Sequence, residues 1–343
     1  MRASLRGALL LCLPAVAALP GQQTPAPLVR FLQQSIGLDT AQVAAVERGA
    51  AVVKVLDTKN QRDVAVFGII TVDVSRASYI GHLQDFQSSL RTPTRARFGI
   101  FSDPATPEDV QGLVLDPGDV SELKDCHPND CKIKLSATEM KRLREEINWS
   151  GEDALTQVTA YARQRLLEYV TAYRARGDTA LVVYDNRGNV RASSAFAALL
   201  SESPYVYEYI PSFHNYLATY PLGKIDGLRE VLFWSEDRLP RLKPILSVTH
   251  LAVYAPPELP MMTLVAGKQI YANHYFEAGL DLTTVVDRPT AAHPGIYLML
   301  LRRSRFDDLP TGLFNIRGKV IGKLRDQMRV DLDREKAAAE QLR

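Results

Sequence analysis

The run Leu264–Val286 (LVAGKQIYANHYFEAGLDLTTVV) is the longest stretch of period-two patterning in the chain. Every second residue from Leu264 through Ala266, Lys268, Ile270, Ala272, His274, Phe276, Ala278 and Leu280 to Leu282 is apolar, except Lys268 and His274. The alternate set, which includes Gln269, Tyr271, Asn273, Glu277 and Asp281, is polar or amphipathic. Side chains on a strand point to opposite faces in turn, so the pattern predicts a β-segment with one face buried and one wet. The run exceeds an ordinary strand of about 5–10 residues. It therefore bends at Gly267 and Gly279, or it is two strands. The rest of the chain is expected to be built around the sheet it joins.

Further segments read as an α+β fold. Ala50–Leu56 and Val64–Val74 are strands joined by turn chemistry at Asp57–Asn60. Ser75–Phe86 is a short helix and Arg97–Phe101 a strand. Thr106-Pro107-Glu108-Asp109 has the N-cap and Pro-N1 signature of a helix start, ending near Leu115. Lys132–Leu135 reads as a brief strand, and Ser136 with Glu139 as a capping box opening a helix through Ile147. A long helix follows over about 151–176, with Leu155, Val158, Ala162, Leu166, Tyr169 and Tyr173 as its buried stripe and Gly177 as its stop. Thr179–Tyr184 reads as a strand, and Ser193–Leu200 and Pro211–Tyr220 as helices. From Val231 the chain turns β-rich: Val231–Trp234, Ile245–Tyr254, the opening run and Ile296–Arg303 should pair antiparallel. Ile316, Val320, Leu324, Met328 and Leu332 then step by four along a terminal helix.

The N-terminus reads as a Sec-type signal peptide over residues 1–18. Arg2 and Arg6 precede the apolar run Ala8–Leu19, which is too short to span a bilayer. The expected remainder, residues 19–343, is one α+β domain with a mostly helical insertion around 104–225 and no transmembrane segment. Removing the leader takes Lys+Arg from 41 to 39, against 39 Asp+Glu. A near-neutral chain lacks the broad basic surface that nucleic acid requires. The expected location is periplasmic or secreted. Cys126 and Cys131, in DCHPNDC, remain after the leader and read as a disulfide in an oxidising compartment.

The order of elements resembles the helix-grip arrangement of the START-like, polyketide cyclase (SRPBCC) superfamily. The resemblance is carried by VAVFGIITVDVSRASYIGHLQDF (Val64–Phe86), where a strand runs into a short helix, and by Ile245 to the C-terminus. It extends in outline to a group of exported bacterial proteins. It implies a curved antiparallel sheet wrapped on the last helix, leaving a cavity for an apolar ligand. It carries no catalytic motif, and residues 106–220 depart from the compact family pattern.

The candidate site residues are polar groups set among apolar ones. His274 lies on the apolar side of the run, and His250, in SVTHLAVY, lies on a neighbouring strand. Tyr271 and Trp234 are further lining candidates. Arg302, with Arg303 and Arg305, is either an anion clamp or a solvated strand end paired with Asp307 and Asp308. No HExxH, GxSxG or Gly-rich phosphate loop occurs, so no metal and no cofactor are expected. The leading expectation is an exported protein that binds or carries an apolar or lipid-like small molecule between the sheet and the C-terminal helix. Two alternatives stay open: a hydrolase- or cyclase-type enzyme using His274 or His250 with a nearby carboxylate, and an envelope scaffold.

Overall fold

A computed structural model of the chain describes residues 26–151, 153–289, 294–309 and 315–342. The expected signal peptide (1–18) and most of the lead-in that follows it lie outside the described residues. Among the described residues the strands are β1 (Val52–Leu56), β2 (Asp63–Val72), β3 (Arg95–Phe101), β4 (Val183–Tyr184), β5 (Val190–Arg191), β6 (Arg229–Asp237), β7 (Ile245–Tyr254), β8 (Met262–Ala272), β9 (Phe276–Arg288) and β10 (Gly295–Phe306). β4 and β5 form a small hairpin. The others form one sheet in the order β1-β2-β10-β9-β8-β7-β6-β3, every neighbouring pair antiparallel. The sheet is curved but does not close. The α+β class, the antiparallel meander and the long terminal helix all stand as the patterning predicts.

The opening run is two strands. It breaks at Asn273–Tyr275, where Tyr275 takes φ +62°, and not at either glycine. β8 and β9 then fold back on each other, pairing Leu264 with Thr284, Ala266 with Leu282 and Lys268 with Leu280. The expected wet face is only partly open. Gln269 and Asp281 keep access to solvent, but Val265, Gly267 and Glu277 are buried. Part of the screen is Arg76, which donates to Thr263 Oγ1 at 2.9 Å.

Two layers of helix cover the sheet. The C-terminal helix (Ile316–Ala339) lies along β1 and β2. Its Met328, Leu332 and Ala339 pack on Val64, Val66, Ile70, Ile296, Leu298 and Leu300. The approach is closest at Gly68, where a Cβ would stand 2.7 Å from Leu332 Cδ1 and 2.9 Å from Met328 Cγ. The opposite face of the same strands (Phe67, Ile69, Tyr297, Met299, Leu301) belongs to another core. The helical segment Ala26–Ser35 and the helices inserted between β3 and β6 cover it.

The row Leu264, Ala266, Ile270, Leu280 and Leu282, expected beneath the C-terminal helix, packs instead with Tyr173, Phe196, Phe213 and Leu217 of the insertion. The reason is width. One helix is about 10 Å across, which spans two spacings of about 4.8 Å and so covers roughly three strands. The apolar stripe Val320–Leu324–Met328–Leu332 is therefore used up on β1, β2 and β10.

The insertion is organised on its long helix, Ala154–Arg176. Gly177 stops it at φ +54°, where a Cβ would fall 1.7 Å from the Tyr220 carbonyl oxygen. Ser136 Oγ caps the helix Ala137–Glu146 by accepting from the Glu139 N–H at 3.2 Å. Cys126 and Cys131 form the expected disulfide, with Asn129 at φ +66° in the turn between them.

Several local expectations fail. Lys132–Leu135 is not a strand: the Lys134 N–H donates to the Asn273 carbonyl at 2.9 Å, so the segment is tied to the β8–β9 turn. The strand expected over 179–184 shrinks to β4, because a 3-10 turn occupies Gly177–Ala180. Leu155 and Ile316 sit at the helix ends and are exposed. The helix Pro204–Tyr209, begun by a proline at its first turn, has no counterpart in the sequence reading. No helix among the described residues is long and apolar enough to cross a membrane.

Candidate functional site

Cross-strand pairing assembles an apolar floor from residues far apart in sequence. One row runs Leu264–Thr284–Met299 and the next Ala266–Leu282–Leu301–Phe67, each neighbour paired through the ladder. Above this floor the helices do not meet the sheet everywhere. A cavity of about 340 Å³ remains, roofed by Leu28 and Phe31 of the N-terminal helical segment, by Val206 and Ile210, and by the loop 258–261. Phe31 is held edge-on by three rings: Phe67 at 6.3 Å, Tyr205 at 5.6 Å and Tyr209 at 6.0 Å between centroids. Tyr209 and Met261 are exposed and line the same cavity, which gives it a mouth to solvent. Among the described residues, Glu258 is the one ionisable acid or base in the lining apart from tyrosine. Among the described residues no lining residue comes from the C-terminal helix, so the cavity lies on the other side of the sheet from the expected position.

The candidates from the sequence stand elsewhere. His274 is not on a strand face but in the turn between β8 and β9, buried. Its Nε2 is 2.9 Å from Asp119 Oδ2, and Asp119 also accepts from Asn273 Nδ2 at 3.0 Å and Lys243 Nζ at 3.3 Å. This knot ties the hairpin turn to the helix Pro117–Leu123. His250 belongs to a separate network. It pairs across the ladder with Lys268 and is likewise buried. Its Nδ1 lies 3.0 Å from the Tyr173 hydroxyl, and its Nε2 lies 3.0 Å from Tyr216 Oη and 3.2 Å from Glu230 Oε2. Burial pushes its pKa down, against the pull of Glu230. A neutral ring with the proton on Nε2 satisfies this network, donating to Glu230 and accepting from Tyr173. Lys268, the other polar exception in the run, is buried against Phe196, 4.2 Å from its ring centroid, and donates to Asp178. Burial also lowers its pKa.

Trp234 is buried, and its Nε1 donates to the Asp109 carbonyl at 2.8 Å. The acids beside it are already matched, Glu236 to Arg97 and Arg238, Asp237 to Arg95. Arg302 binds Asp331 of the C-terminal helix at 2.6 Å, Arg303 reaches Glu202 at 3.4 Å and Arg305 binds Asp63 at 2.7 Å. All three guanidiniums are thus internal ties, and Asp307, expected beside them, takes Lys134 instead. Because the side chains of β10 alternate, Arg302 and Arg303 serve opposite faces of the sheet.

Tyr271 borders a second cavity, of about 670 Å³, inside the insertion. The register between β7 and β8 slips at Ile270. Such a bulge re-aims the side chain after it. Tyr271 accordingly turns toward the insertion, edge-on to Tyr169 at 6.2 Å, with its hydroxyl donating to the Lys134 carbonyl at 3.2 Å. Asp119 and Asn273 also reach this cavity, while His274 stands behind them and lines neither space.

Sequence reading missed Phe31, Phe67 and Met299. A signal was present: β2 and β10 read as near-continuous apolar runs, which mark strands covered on both faces. Among the described residues no three His, Cys, Asp or Glu side chains gather as metal ligands would. Compared with known proteins, the chain matches no family model and no curated protein sequence.

Proposed function

We propose that this protein binds an apolar, lipid-like small molecule in the 340 Å³ cavity between the sheet and the segments Ala26–Ser35 and Pro204–Tyr209. The observation that carries the reading is the lining: a sheet floor and helical roof of Leu, Met, Phe, Val and Ile, broken by little besides Thr284 and Glu258. Such a surface gains by excluding water, and its size suits a small ligand or part of an acyl chain. The export signal and the disulfide support a periplasmic or secreted carrier. The likeness to the START-like layout supports it in outline: curved antiparallel sheet, long terminal helix, apolar pocket. Here the pocket is placed on the face away from that helix.

The enzyme reading required a histidine beside a carboxylate in an open cleft. Both histidines have the carboxylate, but neither lines either cavity. Binding is therefore the reading the geometry favours.

The test uses Thr284→Trp, which places an indole in the cavity from a half-buried position on β9. A neutral apolar probe such as N-phenyl-1-naphthylamine should lose at least about ten-fold in affinity while the fold is retained. The reading fails if the wild-type protein binds no such probe, or if Thr284→Trp binds it equally well.

A further inference from the structure

The geometry points to a second ligand site in the 670 Å³ cavity of the insertion, which takes an anion carried on an apolar body. The inference is independent of the apolar cavity and turns on which charges in the lining already have partners. Asp119 is held by His274, Asn273 and Lys243. Glu139 accepts from Arg165 at 2.9 Å and Tyr161 at 2.6 Å, and Glu168 pairs with the same arginine. Asp185 accepts from the Ala137 N–H and from Asn189, each at 2.9 Å. Two charges are left. Arg176, in the last turn of the long inserted helix, and Arg191, on β5, both line the cavity and have no ion pair or side-chain hydrogen bond among the described residues.

These two guanidiniums stand exposed, whereas the floor beneath is apolar, with Leu123, Ile133 and Leu246 buried or nearly so. The orientation of a ligand follows. Its anionic group meets Arg176 and Arg191, and its apolar body fills the floor. The reverse orientation would bring an anion against the Asp119 carboxylate. A carboxylate, sulfonate or phosphate on an aryl or acyl body has this chemistry.

The test pairs two probes with nearly the same aromatic body: 8-anilinonaphthalene-1-sulfonate, which is anionic, and N-phenyl-1-naphthylamine, which is neutral. Arg176→Gln/Arg191→Gln should lower affinity for the sulfonate at least about ten-fold, and raising the salt should weaken its binding to the wild type. Arg176→Lys/Arg191→Lys should keep affinity within about three-fold, since the charges remain. Neither pair of changes should move the neutral probe, and Thr284→Trp should spare the sulfonate. Both arginines are exposed, so the variants test charge and not folding. The proposal is overturned if the wild type does not bind the sulfonate, if the glutamine pair binds it as well as the wild type, or if Thr284→Trp abolishes it. Failure of the apolar-cavity reading shows separately, in the neutral probe.

Discussion

The two faces of the eight-stranded sheet are covered by different means. One is covered over β1, β2 and β10 by a single helix, whose stripe interlocks with the strands so closely that β2 needs a glycine at position 68. The other is covered by the Ala26–Ser35 segment and several inserted helices of differing length. A continuous rod can follow one groove without gaps. Separate short helices each settle on their own contacts, and the space between their ends stays open as the apolar cavity. The polar residues divide in a related way. The rod face uses short ion pairs such as Arg302–Asp331, while the patchwork face buries Lys268 and His250 side by side and must satisfy each from above.

Core truncation should give the largest difference between the faces. Leu332→Ala, on the rod face, should cost about 4 kcal/mol, because a tight site cannot collapse around the lost atoms. Leu282→Ala, on the cavity floor, should cost about 2 kcal/mol, because part of that surface already faces empty space. Urea unfolding midpoints measure both. Equal losses would remove the distinction drawn here.

Next in size is Asp178→Asn. It strips the buried Lys268 ammonium of its carboxylate and should cost about 3 kcal/mol, reduced somewhat because the Asp178 side chain is a quarter exposed. Adding Lys268→Met should restore much of the loss in the same unfolding assay. If it restores nothing, the pair is not the tie described. Replacing both Cys126 and Cys131 with serine should cost about 2 kcal/mol, the entropy of a short closed loop. That change lies in the core of the insertion, away from the lining of the apolar cavity, and should leave the affinity of that cavity for its neutral probe intact. A parallel loss of probe binding would mean the insertion is less independent of the sheet than its separate core implies.

The sheet was legible because it rests on a local rule: alternation along each strand, plus short connections that force antiparallel neighbours. The terminal helix was legible for the same reason, its four-residue stripe being continuous. Which face each row of side chains meets was not legible. Leu264, Ile270 and Leu280 carry no mark that distinguishes a cover of C-terminal helix from one of inserted helices, since both offer only apolar contact. The histidines illustrate a second limit. His274 kept the parity of the strand in sequence, but a turn at Asn273–Tyr275 removed it from the strand. Its partner Asp119 lies 155 positions away and had no pattern of its own. The polar exceptions Lys268 and His274, and the neighbouring-strand His250, were recognisable as needing explanation, and in each case the answer was internal pairing. The cavity residue Phe31 carried no sequence signal to aim it at Phe67.

The smallest expected effect is a pH dependence that belongs to the patchwork face. Burial holds the His250 imidazole below its ordinary pKa despite Glu230. Burial alone would raise the Glu230 carboxyl, but hydrogen bonds from His250 and Tyr216 outweigh it and leave that pKa lowered too. Both shifts act in one direction. As the pH falls through about 6.5, the unfolded chain takes up a proton that folded His250 refuses, so the unfolded state gains. Near the ordinary carboxylate range Glu230 repeats the effect, because the unfolded side chain protonates first. Stability is therefore complete above about pH 6.5 and declines on acidification. Thermal midpoints from pH 7 to pH 5 should fall for the wild type and for Leu332→Ala alike, since His250 and Glu230 lie on the other face. His250→Gln, whose amide can still donate to Glu230 and accept from Tyr173, should flatten that slope. An unchanged slope in His250→Gln would place the titrating group elsewhere.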